Sequence, residues 1–192
     1  MDGDHLTLLN VSSAFSLAKS RLLPTYSSIQ VENAMKQWCS DRFVNYRSMS
    51  SAESIRQQLS DMIYMHIPSS STSANLTILD DRYYESIQKC LCSGLFMQVA
   101  HLQRNGTYNT IKDRQTVAIH PSSVIDLRPP WIMFEEFVMT SRNYVRTVSV
   151  VKLEWLLELA PHYYDLSNFP EGETKREIES GYRRMVGGLK RR

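Results

Sequence analysis

The sequence predicts an α+β fold in which a helical bundle precedes a small closed β-barrel, and three observations predict it. In the first half, apolar residues recur at steps of three and four. Beyond Gly94, short runs rich in Val, Ile, Phe and Tyr alternate with polar turns. The stretch from Trp131 to Leu166 then joins two aromatic, β-branched runs through Thr140–Asn143 and adds a short apolar helix stopped by Pro161.

Asp4 is placed to cap a first helix whose apolar face is Leu8, Val11, Phe15, Ala18 and Leu22, with Pro24 ending it. A second helix, from about Ser28, aligns Val31, Met35 and Trp38 and sets Glu32 one turn from Lys36. Ser50 and Glu53 form a capping-box pattern at the head of a helix expected to bury Ala52, Ile55, Leu59 and Met62. The polar stretch Pro68–Asn75 predicts a disordered insertion. A fourth helix begins near Asp80, packs Tyr84, Ile87 and Leu91, and takes Gly94 as its C-cap.

Strands are expected within Leu95–Leu102, Tyr108–Ile111, Thr116–Ile119, Trp131–Met139 and Tyr144–Val150. Turns at Arg104–Gly106, Lys112–Gln115 and Thr140–Asn143 separate them, and Pro129–Pro130 break the long connection before the fourth. Five strands at this spacing fit a five-stranded OB-fold barrel, since closure removes exposed edges. Trp155, Leu156 and Leu159 would cover the last hairpin, and Glu177 and Ile178 continue a C-terminal helix. Gly187–Gly188 ahead of Lys190, Arg191 and Arg192 predicts a frayed basic tail. The expected divisions are a helical domain over 1–94, the barrel over 95–170, and the C-terminal helix and tail over 171–192.

With 42% hydrophobic and 22% charged residues, the 192-residue chain has the composition of an ordinary globular protein. No apolar run approaches the roughly 18 residues of a membrane helix, and the acidic start MDGDH does not read as a signal peptide. No membrane partner is expected. Three cysteines, Cys39, Cys90 and Cys92, suggest a reducing compartment and buried free thiols. The positive excess resides in residues 171–192, which carry 7 basic and 4 acidic side chains, within a chain of net charge +2. A nucleic-acid role therefore needs local cationic groups, because the fold as a whole is not basic.

The chain contains no glycine-rich phosphate loop ending in Lys-Ser or Lys-Thr, and no D-E-A-H tetrad. Catalysis by this chain is not expected, nor is a bound ATP, Mg²⁺ or other cofactor. On a helix, Cys90 and Cys92 point about 200° apart and cannot share a metal ion.

Several stretches carry a resemblance. GDHLTLLNV (3–11), WCSDRFVNYRSM (38–49), IRQQL (55–59), SGLFMQVA (93–100), IHPSSV (119–124) and the Trp131–Leu166 block occur in that order. Together they resemble the C-terminal ratchet (helicase-associated) and OB-fold region of DEAH-box RNA helicases, closest to the branch of spliceosome disassembly and ribosome biogenesis. The resemblance implies an auxiliary, non-catalytic region of an ATP-dependent helicase of pre-mRNA splicing. Ratchet and OB-fold would form one wall of a tunnel for single-stranded RNA, and the OB-fold would dock G-patch activator proteins. Other expected partners are the RecA-like and winged-helix domains, absent from this chain, where ATP and Mg²⁺ would be held. A nuclear location follows. The alternative is a stand-alone protein-interaction module with no RNA binding of its own.

Single-strand channels combine cations, hydroxyl and amide donors with aromatic platforms. Tyr46, Arg47 and Ser48 precede the helix expected to begin at Ser50, near an N-terminus that favours phosphate. Lys112 and Arg114 occupy a turn between strands. His120, Ser122 and Ser123 follow the third strand, and Thr140, Arg142 and Asn143 form the hairpin turn that OB-folds use for oligonucleotides. Each has a structural alternative. Arg47 could bridge the two halves, Lys112 and Arg114 could be solvated turn residues, and His120 could cap its own turn. Tyr163 and Tyr164 read as packing residues.

Overall fold

The switch in hydrophobic period marks where helices give way to strands. In the computed structural model, which describes residues 3–66 and 82–189, the order is α1 (Asp4–Leu22), α2 (Ser28–Ser40), α3 (Tyr46–His66) and α4 (Arg82–Leu95). There follow β1 (Val99–Leu102), β2 (Tyr108–Thr110), β3 (Thr116–Ile119), β4 (Trp131–Met139) and β5 (Asn143–Val150). Helix α5 (Leu153–Leu159), a 3₁₀ turn (Leu166–Asn168) and α6 (Glu173–Leu189) complete the chain. The expected insertion at Pro68–Asn75, the helix start at Asp80 and the tail Lys190–Arg192 lie outside the described residues. Two compact units result. One holds the described residues from Thr7 to His66, the other Gly3–Leu6 with Arg82–Leu189.

The first unit packs Phe15 of α1 against Val31, Met35 and Cys39 of α2. Trp38 meets Phe15 edge-on at 5.9 Å, and Lys36 reaches Glu32 at 2.7 Å. Gln30 Oε1 accepts from both the backbone N–H and the hydroxyl of Ser27, fixing the start of α2. Helix α3 begins earlier than the Ser50–Glu53 pattern indicates. Asn45 Oδ1 accepts the Ser48 N–H at 3.0 Å and caps the helix there, so Ser50 lies inside it and Glu53 pairs with Lys19. The expected apolar stripes are only partly covered: Leu8 is exposed, and Ile55, Leu59 and Met62 are each about half exposed. Helical spacing identifies an apolar face but not the presence of a cover.

In the second unit the strands close in the order β1-β2-β3-β5-β4, all pairs antiparallel except β3–β5. This is a helical region followed by an OB-fold barrel and a C-terminal helix. Alternation along β4 sends Ile132 and Phe134 into the barrel, beside Ala100, Tyr108, Val117, Val145 and Val148. Trp131 and Met133 point the other way, into a layer built with Cys92, Leu153, Leu156, Tyr164 and Ile178. Each such side chain contributes roughly 1.5–3 kcal/mol on burial. Tyr164 packs as expected, and its hydroxyl donates to the Phe96 carbonyl at 2.8 Å.

Two expectations need correction here. Gly94 is no C-cap: it sits inside α4, which ends at Leu95, and its φ is not positive. Leu159 is 38% exposed because α5 buries Leu153 and Trp155–Leu157 instead.

The parallel β3–β5 seam is short, with partners Ala118–Tyr144 and Ile119–Val145 and one further bond from His120 N–H to the Val145 carbonyl. The chain start reinforces it. Asp4 Oδ1 accepts the Val124 N–H at 2.8 Å and the Ser123 hydroxyl at 3.1 Å, and Oδ2 accepts the Val148 N–H at 2.7 Å. Asp4 thus ties the connection after β3 to β5, a role other than the helix cap expected of it. Gly3 bridges Ser149 with φ 119, and a Cβ there would lie 2.4 Å from the Ser149 Cα. Thr147 has φ 54, a strained conformation for a β-branched residue, just before the N–H that Asp4 receives.

Replacing Asp4 by Ala leaves two backbone N–H groups without their acceptor. We expect a loss of roughly 2–4 kcal/mol in urea unfolding. Thiol titration of the native protein should detect Cys90 alone, since Cys39 and Cys92 are buried and Cys90 is exposed; burial pushes the Cys92 thiol up to about 11. Rapid labelling of all three cysteines before denaturation would contradict this packing.

Candidate nucleic-acid interface

Strand register determines which turns share an end of the barrel. Because Ala118 pairs with Tyr144 in parallel, Arg142 emerges level with Thr116, beside the β2–β3 turn. Because Tyr108 pairs with Val117 in antiparallel, the β1–β2 turn emerges at the other end, beside His120. Between the two ends lie the outward residues of β2 and β3, Asn109 and Thr116, joined by a hydroxyl-to-amide bond of 3.1 Å.

At the first end, Thr110 organises the β2–β3 turn. Its carbonyl accepts the Arg114 N–H at 3.1 Å and its hydroxyl the Gln115 N–H at 2.9 Å. Arg114 takes φ 53, and both Lys112 and Arg114 are exposed. The β4–β5 hairpin closes through Thr140, whose N–H and hydroxyl both donate to the Arg142 carbonyl, at 3.0 and 3.1 Å. Arg142 is exposed, and Asn143 is the first residue of β5, opposite Met139. Lys112, Arg114 and Arg142 are therefore three exposed cations at one end.

At the opposite end, Asn105 Oδ1 accepts from the Thr107 N–H and hydroxyl, and Gly106 turns the chain with φ 82. Two arginines flank this turn. The Arg104 N–H and side chain both reach Glu173 at the head of α6, at 3.0 and 3.1 Å, and Arg128 donates to the Gly106 carbonyl at 3.3 Å. Sequence reasoning recognised Arg104 only as part of a turn and passed over Arg128. The signal available was the use of the β1–β2 loop by OB-folds. His120 and Ser122 hold each other: Nδ1 accepts the Ser122 N–H at 3.1 Å and lies 2.7 Å from its hydroxyl. Ser123 gives its hydroxyl to Asp4. Both engage in maintaining the turn.

The other candidates belong to the first unit. Tyr46 is partly buried, 6.3 Å from the Phe15 ring, with Lys36 Nζ 5.7 Å from its own centroid. Arg47 and Ser48 are exposed in the first turn of α3, inside the helix rather than ahead of it.

Behind the β1–β2 turn, His101 stacks on Trp131 at 4.3 Å and lies 3.1 Å from the Thr174 hydroxyl. Gln103 Nε2 approaches His101 Nδ1 at 3.0 Å. Burial holds this imidazole below its usual range, against the opposing pull of Glu177 and Glu173. β1 is thus tied to α6 through the His101–Thr174 contact.

A family model of the oligonucleotide/oligosaccharide-binding (OB) fold matches residues 87–163, spanning the end of α4, the barrel and α5. The matched domain is one found in helicase C-terminal regions.

The buried histidine carries a pH prediction. A base whose folded pKa is depressed below 6.5 adds stability that is present above that pH and lost as pH falls through the folded value. His5, lowered chiefly by burial, acts in the same direction. Urea midpoints should fall between about pH 7.5 and 5.5, and His101→Gln should remove part of the fall. An unchanged pH slope in that variant would place the titration elsewhere.

Proposed function

We propose that this chain is the non-catalytic auxiliary region of an ATP-dependent DEAH-box RNA helicase of pre-mRNA splicing, acting in the nucleus. Its barrel lines one wall of the path taken by single-stranded RNA. The observation that carries this reading is the pair of cationic ends, Lys112, Arg114 and Arg142 at one and Arg104 and Arg128 at the other, separated by the Asn109–Thr116 face. A single strand crossing that face would meet phosphate partners at both ends and amide and hydroxyl groups between them. ATP and Mg²⁺ belong, on this reading, to the RecA-like motor domains of the helicase. Those domains, a winged helix and a G-patch activator are its protein partners.

A second reading, a protein-interaction module without RNA affinity of its own, draws on the half-exposed apolar stripe of α3. Salt titration separates the two. With about three phosphate contacts, the logarithm of the affinity for labelled oligo-uridine should fall against log salt with a slope of about −2. Arg114→Ala and Arg142→Ala should each reduce that slope by about 0.7. A slope near zero, or one indifferent to both substitutions, would favour the interaction module.

A further inference from the structure

A cavity of about 800 Å³ lies between the barrel and the helices beside it. Its walls are Gln88 of α4, the connection Ile125–Pro129, Val150 at the end of β5, and Lys152 and Trp155 at the head of α5. Ile125, Leu127, Pro129 and Val150 make the lining predominantly aliphatic. We propose that this cavity docks a peptide segment of a partner protein, one that presents a large apolar side chain flanked by carboxylates.

Three observations select that occupant. The first is charge. The lining holds two cations, Arg128 and Lys152, against the one acid Asp126, and no described carboxylate forms an ion pair with either cation. Arg128 gives one N–H to the Gly106 carbonyl, and Lys152 Nζ rests 4.7 Å from the Trp155 ring centroid. Both retain donors for a carboxylate. The second is the lack of a stacking surface. Trp155 is only 6% exposed, with Lys152 and Lys89 over its ring, so a nucleobase finds no open aromatic face here. The third is topology. The barrel closes on itself, so an incoming chain cannot extend the sheet and must be recognised through side chains. The volume falls within the usual range for ligand pockets, and Leu127, 77% exposed at the rim, is an aliphatic surface that docking would cover.

This inference shares only Arg128 with the strand-binding reading; Leu127 and Lys152, on which its test rests, belong to neither cationic end. The test is a selection from a random dodecapeptide library against the full chain, followed by affinity measurements on the enriched peptides. The expected result is a consensus combining Asp or Glu with Leu, Ile, Phe or Trp. Binding of those peptides should weaken at least tenfold in Leu127→Asp and in Lys152→Glu. Both positions are exposed, and an unchanged melting temperature would confirm that the variants fold. A basic or featureless consensus would overturn the proposal. So would binding that neither substitution alters, or displacement of the peptides by oligo-uridine.

Discussion

The barrel closes along its one parallel seam through one carboxylate. Antiparallel pairing joins β4 to β5 over most of their length, whereas the parallel β3–β5 contact is brief. Asp4 spans that contact by accepting from the connection after β3 and from β5 together. Its position requires the chain to pass within touching distance of Ser149, which only the glycine before it permits. The left-handed Thr147 belongs to the same arrangement, in which the Val148 N–H goes to Asp4. Residues at the chain start therefore complete a barrel whose strands lie about a hundred positions further on.

Around that closure the second unit is layered. One set of β4 side chains fills the barrel and the other supports α4, α5 and α6. The helical layer does more than shield the sheet. Through Glu173 and Thr174 it holds the root of the β1–β2 turn, where His101 stacks on Trp131 and meets the Thr174 hydroxyl. The turns that bear the exposed cations are thus carried on a packed scaffold, the arrangement by which loops keep a binding geometry.

The strands were legible because period-two alternation, β-branched residues and turn chemistry agree: Thr116–Ile119 and Trp131–Met139 match their expected limits. The helices were legible as segments but less so in their ends and faces. Asn45 outcompeted Ser50 as a cap because its amide reaches the right N–H, a choice that composition does not reveal. Leu8 and Leu159 illustrate the limit of periodicity, which cannot report which apolar side chains find a neighbour. Of the site, the cationic turns could be identified from residue type and position. The Arg104–Glu173 contact could not, because nothing local in sequence links a turn to a helix about seventy residues away.

That contact has a mechanical consequence. The guanidinium of Arg104 is already satisfied by a carboxylate, so an anion arriving there replaces one partner with another instead of neutralising a bare charge. The net gain from such an exchange is small and the reverse step is easy. A surface built this way exchanges anions readily instead of trapping them.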